Sequence, residues 1–180
     1  MENETDIINR VLNGNKDDFA VIIRAHQRKI FFLCLSLLRS PAEAEDAVQD
    51  VFIKAYNNLK KFRFKSSFST WLYRIAYHRC IDIIKEKAEK RECVIDRDFA
   101  ETAQSGVTAD ERELIDKTLD SLPAEHRAIL VMREGSGMSY EEIAEIMNIS
   151  VDAVSARLWR ARNIFSEIAR RFLAQGASKG

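Results

Sequence analysis

Residues 139–164, SYEEIAEIMNISVDAVSARLWRARNI, decide the fold of the C-terminal part of the chain. Ser139 with Glu142 forms a capping box that predicts a helix start, and Ser150 is suited to cap a second helix. Asn148, between the two segments, tolerates the left-handed backbone of a tight turn. Two helices joined in this way predict a helix-turn-helix, the motif whose second helix can enter the major groove of DNA.

The second of these helices separates an apolar stripe from a polar face. Six apolar residues recur at helical spacing and predict the buried side: Val154, Leu158, Ala161, Phe165, Ile168 and Phe172. The outer face carries arginines beside a tryptophan, and arginine suits both the paired acceptors of guanine and the phosphates. We predict a duplex-DNA contact formed by Ser155, Ala156, Arg157, Trp159, Arg160 and Arg162. An ordinary amphipathic hairpin with a solvated charged face fits the same pattern.

An earlier helix is predicted to begin at Ser40-Pro41-Ala42-Glu43, a second capping box with proline at the first helical position. Small and apolar residues recur along one side of the segment that follows, from Ala44 to Ala55. The other side is polar and contains Asp46, Gln49, Asp50 and Lys54. Because no partner residue at metal-ligand spacing accompanies the carboxylates, this side indicates a protein-docking or solvated surface rather than a catalytic site.

Basic and aromatic residues alternate in the segment 60–67, KKFRFKSS, which precedes a long predicted helix. Unpaired bases stack on aromatic rings, at roughly 1–3 kcal/mol each, while cations follow the phosphates. Phe68, Leu72 and Ile75 share one helix face and are assigned to the core, whereas Phe62 fits either place. The residues predicted to contact melted strands are Lys61, Arg63, Phe64, Lys65, Ser66, Ser67, Trp71, Arg74, Tyr77 and His78.

Composition supports an all-α protein, because only 6 Gly and 2 Pro occur in 180 residues and strand-type alternation is scarce. Lys and Arg outnumber Asp and Glu by 17 to 12 in residues 1–91, but are outnumbered by 2 to 7 in residues 92–113. A connection as long as residues 92–110, without periodicity, is uncommon inside one domain. We therefore predict two small helical domains, 1–91 and 111–180, joined by a flexible acidic linker over 92–110, with the helix-turn-helix in the second domain.

Several classes of site are disfavoured by the sequence. Cys34, Cys80 and Cys93 are widely spaced, so neither a disulfide framework nor a zinc site is indicated, and the first two fit a helical core. No catalytic triad, phosphate-binding glycine loop or metal cluster is evident, so we expect no enzymatic activity, metal or cofactor. No apolar run approaches the ~20 residues that cross a bilayer, so we expect a cytoplasmic protein without membrane insertion.

Three motifs, taken in order, resemble those of bacterial sigma factors. Residues 45–56, EDAVQDVFIKAY, resemble the segment that grips the clamp helices of the largest subunit of RNA polymerase. Residues 68–76, FSTWLYRIA, are similar to the segment that recognises and melts the −10 promoter element. Three further stretches resemble the domain that reads the −35 element: LPAEHR at 122–127, SYEEIA at 139–144 and RLWRAR at 157–162. Without a third helical domain between the two blocks, the chain resembles the extracytoplasmic-function (ECF) group.

The resemblance implies a role for each predicted surface. Asp46, Gln49, Asp50 and Lys54 would bind core RNA polymerase, whose flap is a further expected contact. The loop from Phe64 to Ser67 would capture a base flipped from the −10 element, beside a melting surface containing Trp71, Arg74 and His78. Ser155, Ala156, Trp159 and Arg160 would face −35 bases, with Arg157 near phosphates. Promoter DNA, both duplex and melted, and an anti-sigma factor are therefore the other expected partners.

Two other functions remain as alternatives. A stand-alone helix-turn-helix regulator would bind duplex DNA as a dimer, and it would need a dimerisation or ligand domain that the first ninety residues do not resemble. A nucleic-acid-processing enzyme would need a metal or catalytic cluster. Tight binding to a palindromic duplex without polymerase would favour the regulator.

Overall fold

The computed structural model describes the backbone of residues 3–90 and 109–177 and the side chains of residues 3–89 and 114–174. These residues belong to two compact units, which are taken in turn below. The predicted acidic linker lies outside the described residues, except for its last two residues, where a helix begins. Within the described ranges, no helix combines the length and the apolar character needed to span a bilayer.

The first unit is a bundle of α-helices. Helix α1 spans Glu4–Leu12, α2 spans Phe19–Leu38, α3 spans Pro41–Asn58 and α4 spans Phe68–Lys90. Short 3₁₀ turns at Lys16–Asp18 and Leu59–Lys61 precede α2 and follow α3. Helices α2, α3 and α4 pack against one another, and α1 packs against α2. The unit thus presents the outer sides of α3 and α4 on one three-helix core.

The connection from α2 to α3 is formed as the sequence predicts, with one difference. Arg39 ends α2 in the left-handed conformation, and its N–H donates to the carbonyl of Leu35 at 2.9 Å. Ser40 then caps α3 by accepting from the N–H of Glu43 at 3.4 Å, with proline in the first turn. The Glu43 carboxylate pairs with Lys87 on α4, because that ammonium group offers a charged donor. The capping box is therefore completed on one side only, and its glutamate links α3 to α4.

Small and medium apolar side chains fill the core of the first unit. Ala44, Ala47, Val51 and Ala55 form the inner stripe of α3, as predicted, and each is fully buried. Small residues at this spacing let the helices approach closely. The other two helices of the bundle bury larger side chains, among them Ile22, Ile30, Leu33 and Leu37 of α2 and Phe68, Leu72 and Tyr73 of α4.

The second unit is also helical. Helix α5 spans Ala109–Asp120, α6 spans Ala124–Leu130, α7 spans Tyr140–Met147 and α8 spans Val151–Ala177. Helix α6 continues as a π-helical turn over Val131–Gly135. Helices α5 and α6 both pack against α8. Together with the first unit, this confirms the predicted all-α class and its division into two helical domains.

The predicted helix-turn-helix is present, with the expected caps. Ser139 and Glu142 exchange both hydrogen bonds of a capping box, at 3.1 and 2.9 Å. Asn148 adopts a φ of 55°, and Ser150 accepts from the N–H of Ala153 at 3.1 Å. Because the turn residue and both caps are local features, this motif can be recognised from the sequence without knowledge of its tertiary contacts.

Candidate polymerase and nucleic-acid interfaces

The predicted polymerase-binding residues share the outer side of α3. Burial of Ala47, Val51 and Ala55 on the inner side leaves the opposite side of α3 directed away from the core. All four predicted residues are exposed: Asp46, Gln49, Asp50 and Lys54. The structure thus groups these side chains on one accessible helical face, as a docking surface requires.

Two residues that the sequence prediction missed adjoin this face. Arg79 of α4 donates from Nε to Oδ2 of Asp50 at 2.9 Å, and its Nη2 lies 2.8 Å from the same oxygen in an ion pair. Ile53, with 59% of its surface exposed, lines a shallow groove of about 360 Å³ together with Asp50, Lys54 and Arg79. An isoleucine on the polar side of an amphipathic helix was the available signal for Ile53. The Arg79 contact depends on how α4 packs against α3, which spacing does not reveal.

The basic loop between α3 and α4 exposes an aromatic ring on a constrained backbone. Phe64 has a φ of 54°, in the left-handed region that bulky residues rarely occupy, and 46% of its surface is exposed. The cations around it are also accessible, namely Lys61, Arg63 and Lys65. Residues held in such conformations occur often at ligand-binding sites. The loop thus presents one ring and three cations to an anionic, aromatic ligand such as a nucleic-acid strand.

Four aromatic rings meet where this loop enters α4. The ring of Phe62 lies 4.7 Å from that of Phe64, 5.3 Å from that of Phe68 and 5.3 Å from that of Trp71, centroid to centroid. Phe62, which the sequence left open, is buried together with Phe68, whereas Trp71 is half-buried. The exposed ring of Phe64 therefore rests on a packed aromatic base.

The predicted melting residues do not all face outward. Ser67 caps α4 by accepting from the N–H of Thr70 at 3.0 Å, so its hydroxyl has a structural partner. Tyr77 is only 5% exposed, which corrects the prediction that it faces outward. It lies four residues after Tyr73 and three before Cys80, and both are buried on the core side of α4. Of the other predicted residues, Arg74 is exposed, and Ser66 and His78 are half-buried.

His78 carries a neutral rather than a charged ring near neutral pH. Its pKa is lowered from the ordinary value of 6.5, first by burial and then by the charge of Arg74. Its imidazole and the ring of Tyr77 pack in a T-shaped arrangement, with the centroids 5.3 Å apart. This environment favours a ring that stacks or hydrogen-bonds over one that attracts a phosphate by its charge.

Helix α8 presents a sharply divided surface in the second unit. Val154, Leu158 and Ala161 are fully buried, as the apolar stripe predicts, whereas Phe165, Ile168 and Phe172 further along the same stripe are only half-buried. Trp159 is 67% exposed, an unusual position for so large an aromatic side chain. Of the other predicted DNA-contact residues, Arg157 is half-buried. The remaining four are exposed: Ser155, Ala156, Arg160 and Arg162.

The three predicted arginines of α8 have different surroundings. Arg157 pairs with Glu125 of α6 at 2.9 Å, and Arg162 pairs with Glu134 of the π-helical turn at 2.6 Å. Arg160 instead donates from Nε to the carbonyl of Ala156, at 3.2 Å within its own helix. Sequence spacing does not predict these two ion pairs. They distinguish Arg160 from its neighbours as the arginine whose charge has no carboxylate partner among the described residues.

Comparison with known proteins identifies both units. Residues 22–90 match the family model of sigma-70 region 2, and residues 112–163 match a model of sigma-70 region 4. The first match contains the outer face of α3, the basic loop and α4. The second contains the helix-turn-helix and the exposed part of α8 up to Asn163.

Relatives along the whole chain agree with the domain matches. The RNA polymerase sigma-H factor of Pseudomonas aeruginosa is 32% identical, over 97% of this chain and 97% of its own length. The ECF RNA polymerase sigma factor SigW of Bacillus subtilis is 36% identical, over 86% of this chain and 90% of its own. The sigma factor RpoE of Bartonella quintana, solved in complex with the anti-sigma factor NepR, superposes with a TM-score of 0.74 at 25% identity, covering 85% of this chain and 97% of that one. The chain therefore belongs to the sigma-70 family, in its extracytoplasmic-function group, and acts in promoter-directed initiation of transcription.

Proposed function

We propose that this chain is a reversible, non-catalytic subunit that carries core RNA polymerase to promoters in the cytoplasm. In this proposal the polymerase clamp helices bind the α3 face of Asp46, Gln49, Asp50 and Lys54. The domain boundaries at residues 91 and 111 separate this function from −35 recognition. Family members regulate transcription rather than catalyse reactions, which agrees with a subunit that contributes binding alone.

The first unit would also hold the melted −10 element. The observation that carries this proposal is the exposed Phe64 ring, which packs on Phe62 beside accessible cations, while Phe62 in turn contacts Phe68 and Trp71. A flipped base gains roughly 1–3 kcal/mol by stacking on such a ring, while lysine and arginine neutralise the adjacent phosphates. Duplex DNA hides the faces of its bases, so this arrangement suits a strand that has already opened.

The second unit would read the −35 element in the major groove. Trp159 and Arg160 project from α8 on the side opposite its buried stripe. An arginine in this position can donate two hydrogen bonds to guanine, and an exposed aromatic ring can contact the thymine methyl group. Ser155 and Ala156 are short, so they allow the helix backbone to lie close to the bases.

An anti-sigma factor is the second proposed partner. The solved relative from Bartonella quintana was captured with such an inhibitor, and it shares the fold over most of both chains. By this analogy, an inhibitor would cover the α3 face or the DNA-contact surfaces and so hold the subunit inactive. Its release would then free the chain to bind polymerase.

Run-off transcription with purified core polymerase tests the proposal. The template is a random-sequence promoter library, and transcripts are sequenced to recover the selected −10 and −35 elements. We expect promoter-specific transcripts only when the chain and core enzyme are both present. Failure to bind core, or tight binding to a palindromic duplex without core, would refute the sigma-factor role and favour a dimeric helix-turn-helix regulator.

A further inference from the structure

Two ion pairs join α8 to the α6 segment at opposite ends of that segment. Near the start of α6, Oε2 of Glu125 lies 2.9 Å from Nη1 of Arg157, whose side chain is 24% exposed. In the π-helical turn that ends the segment, Oε1 of Glu134 accepts from Nη2 and Nε of Arg162, at 2.6 and 3.1 Å. The pKa of Arg162 is raised, first by this hydrogen bond to Glu134 and also by interaction with Tyr140. Both guanidinium groups are therefore held by carboxylates of the same segment.

The positions of these pairs around α8 give them a mechanical role. At about 100° per residue, Arg157 and Arg162 lie on opposite sides of the buried stripe of Val154, Leu158 and Ala161, each about 70° from its centre. Rotation of α8 about its axis in either direction would stretch one of the pairs. Trp159 and Arg160 lie on the far side of the helix, about 50° to either side of the direction opposite the stripe.

Charge compensation argues in the same direction. Ion pairs that remain open to solvent contribute little to stability, so neither pair is needed for folding. However, an arginine beside a carboxylate offers little net charge to a phosphate. If either arginine left its partner for DNA, an uncompensated glutamate would remain close to the phosphates and would repel them.

We propose that Arg157 and Arg162 are positioning residues that fix the rotation of α8, and that Trp159 and Arg160 make its base contacts. This inference rests on the proposed −35 recognition and changes two of the roles predicted from sequence. The helix directs Trp159 and Arg160 towards the bases because ion pairs on both sides of its buried stripe join it to α6 and to the turn after α6. The ion pairs thus determine specificity without touching DNA.

Charge reversal within the second pair provides the test. Holoenzyme is reconstituted with wild type, E134R, R162E or the double variant E134R/R162E. Fluorescence anisotropy then measures its binding to a promoter duplex selected from the library and to the same duplex with a scrambled −35 element. Each single variant should lose about tenfold in discrimination between the duplexes, and the double variant should return to within about threefold of wild type. A double variant as poor as R162E would overturn the proposal, because the restored ion pair would then fail to restore discrimination.

The salt dependence of DNA binding gives a second readout. It changes when a phosphate contact is lost, but not when a residue acts only by positioning α8. Loss of one phosphate contact lowers the slope of log K against log salt by about 0.9, whereas removal of a neutral pair leaves that slope unchanged. The mild double variant E134Q/R162Q should therefore keep the wild-type slope, and a slope reduced by about one would contradict the proposal. Circular dichroism confirms folding of each variant. If wild-type holoenzyme shows no preference for the intact −35 element, the proposed function itself fails, which separates the two outcomes.

Discussion

The guanidinium of Arg79 donates from Nε to Oδ2 of Asp50 at 2.9 Å, and its Nη2 forms an ion pair with the same oxygen at 2.8 Å. This contact joins the long helix α4 to the outer face of α3. The Asp50 side chain nevertheless remains 48% exposed. A carboxylate oriented in this way, beside the exposed Ile53 and the shallow groove, is suited to accept from a cation of a partner.

Asp50→Arg should weaken binding to core polymerase at least tenfold and leave the fold intact. The substitution removes the acceptor and places a second cation against Arg79 at an exposed site. Fluorescence anisotropy of the labelled chain, titrated with core enzyme, measures the change. Asp17→Arg is the matched control, since it makes the same charge change at an exposed residue outside α3. If the two variants weakened core binding equally, Asp50 would not belong to the interface.

Phe64→Gly and Phe64→Ala separate the aromatic ring from the backbone conformation. Glycine adopts a φ of 54° readily, whereas alanine keeps most of the steric cost, so the glycine variant should be the more stable by about 1 kcal/mol. Both variants lose the ring and should impair opening of the −10 element to a similar degree. Thermal unfolding measures the first effect, and 2-aminopurine fluorescence in promoter DNA measures the second. Normal opening by both variants would exclude Phe64 as a base-contact residue.

Local signals explain why so much of this fold is readable from sequence. The caps at Ser40, Ser139 and Ser150, and the left-handed Asn148, act within four residues of their partners. Apolar spacing likewise identifies the buried sides of α3 and α8, because each has a polar opposite side. Tyr77 was harder to place, since aromatic residues surround α4 on several sides and periodicity does not separate them.

The partners of charged side chains could not be predicted in the same way. Arg157 and Arg162 meet Glu125 and Glu134 across helices, so the pairing depends on packing and side-chain rotamers rather than on spacing. The sequence predicts that Arg160 faces bases and that Arg157 lies near phosphates, but it gives no carboxylate partner for either flanking arginine. The two ion pairs of Arg157 and Arg162 emerge only when α6 is placed against α8.

Cys34 and Cys80 should be unreactive towards thiol reagents in the folded protein. Both side chains are fully buried between α2 and α4, as predicted for small core residues. A hydrogen bond to Cys34, followed by burial, raises the pKa of Cys80 well above its usual value, which suppresses the nucleophilic thiolate. In a Cys93→Ser variant, Ellman's reagent should detect no thiols before denaturation and two afterwards. Rapid reaction of the folded variant would contradict the packed thiol pair.

His126 should make the second unit less stable as the pH falls. Its pKa lies below the ordinary value of 6.5, first because of burial and then because of the cations Arg157 and Arg160, while Glu125 acts weakly in the opposite direction. Below about pH 6.5 the unfolded chain therefore binds more protons than the folded one, and stability declines until the folded-state pKa is passed.

Replacing this histidine should reduce that decline. A His126→Gln variant is compared with its parent in a Trp71→Phe background, where Trp159 is the remaining tryptophan and reports on α8. Urea unfolding is followed by its fluorescence between pH 5 and pH 8. The two proteins should differ by a constant amount near pH 8 and converge or cross towards pH 5. Parallel curves over the whole range would show that His126 does not carry the proton uptake.

Arg160→Ala should weaken recognition at one position of the −35 element. Arg160 is exposed on the outer side of α8 and has no carboxylate partner among the described residues, so its guanidinium is available to a base edge. Loss of a paired contact to guanine should reduce discrimination at that base pair by about 1–3 kcal/mol, measured by holoenzyme binding to single-substitution promoter duplexes. Arg170→Ala, at an exposed arginine ten residues further along α8, is the control and should leave discrimination unchanged. A uniform loss of affinity across all duplexes, with a smaller salt slope, would instead assign Arg160 to a phosphate.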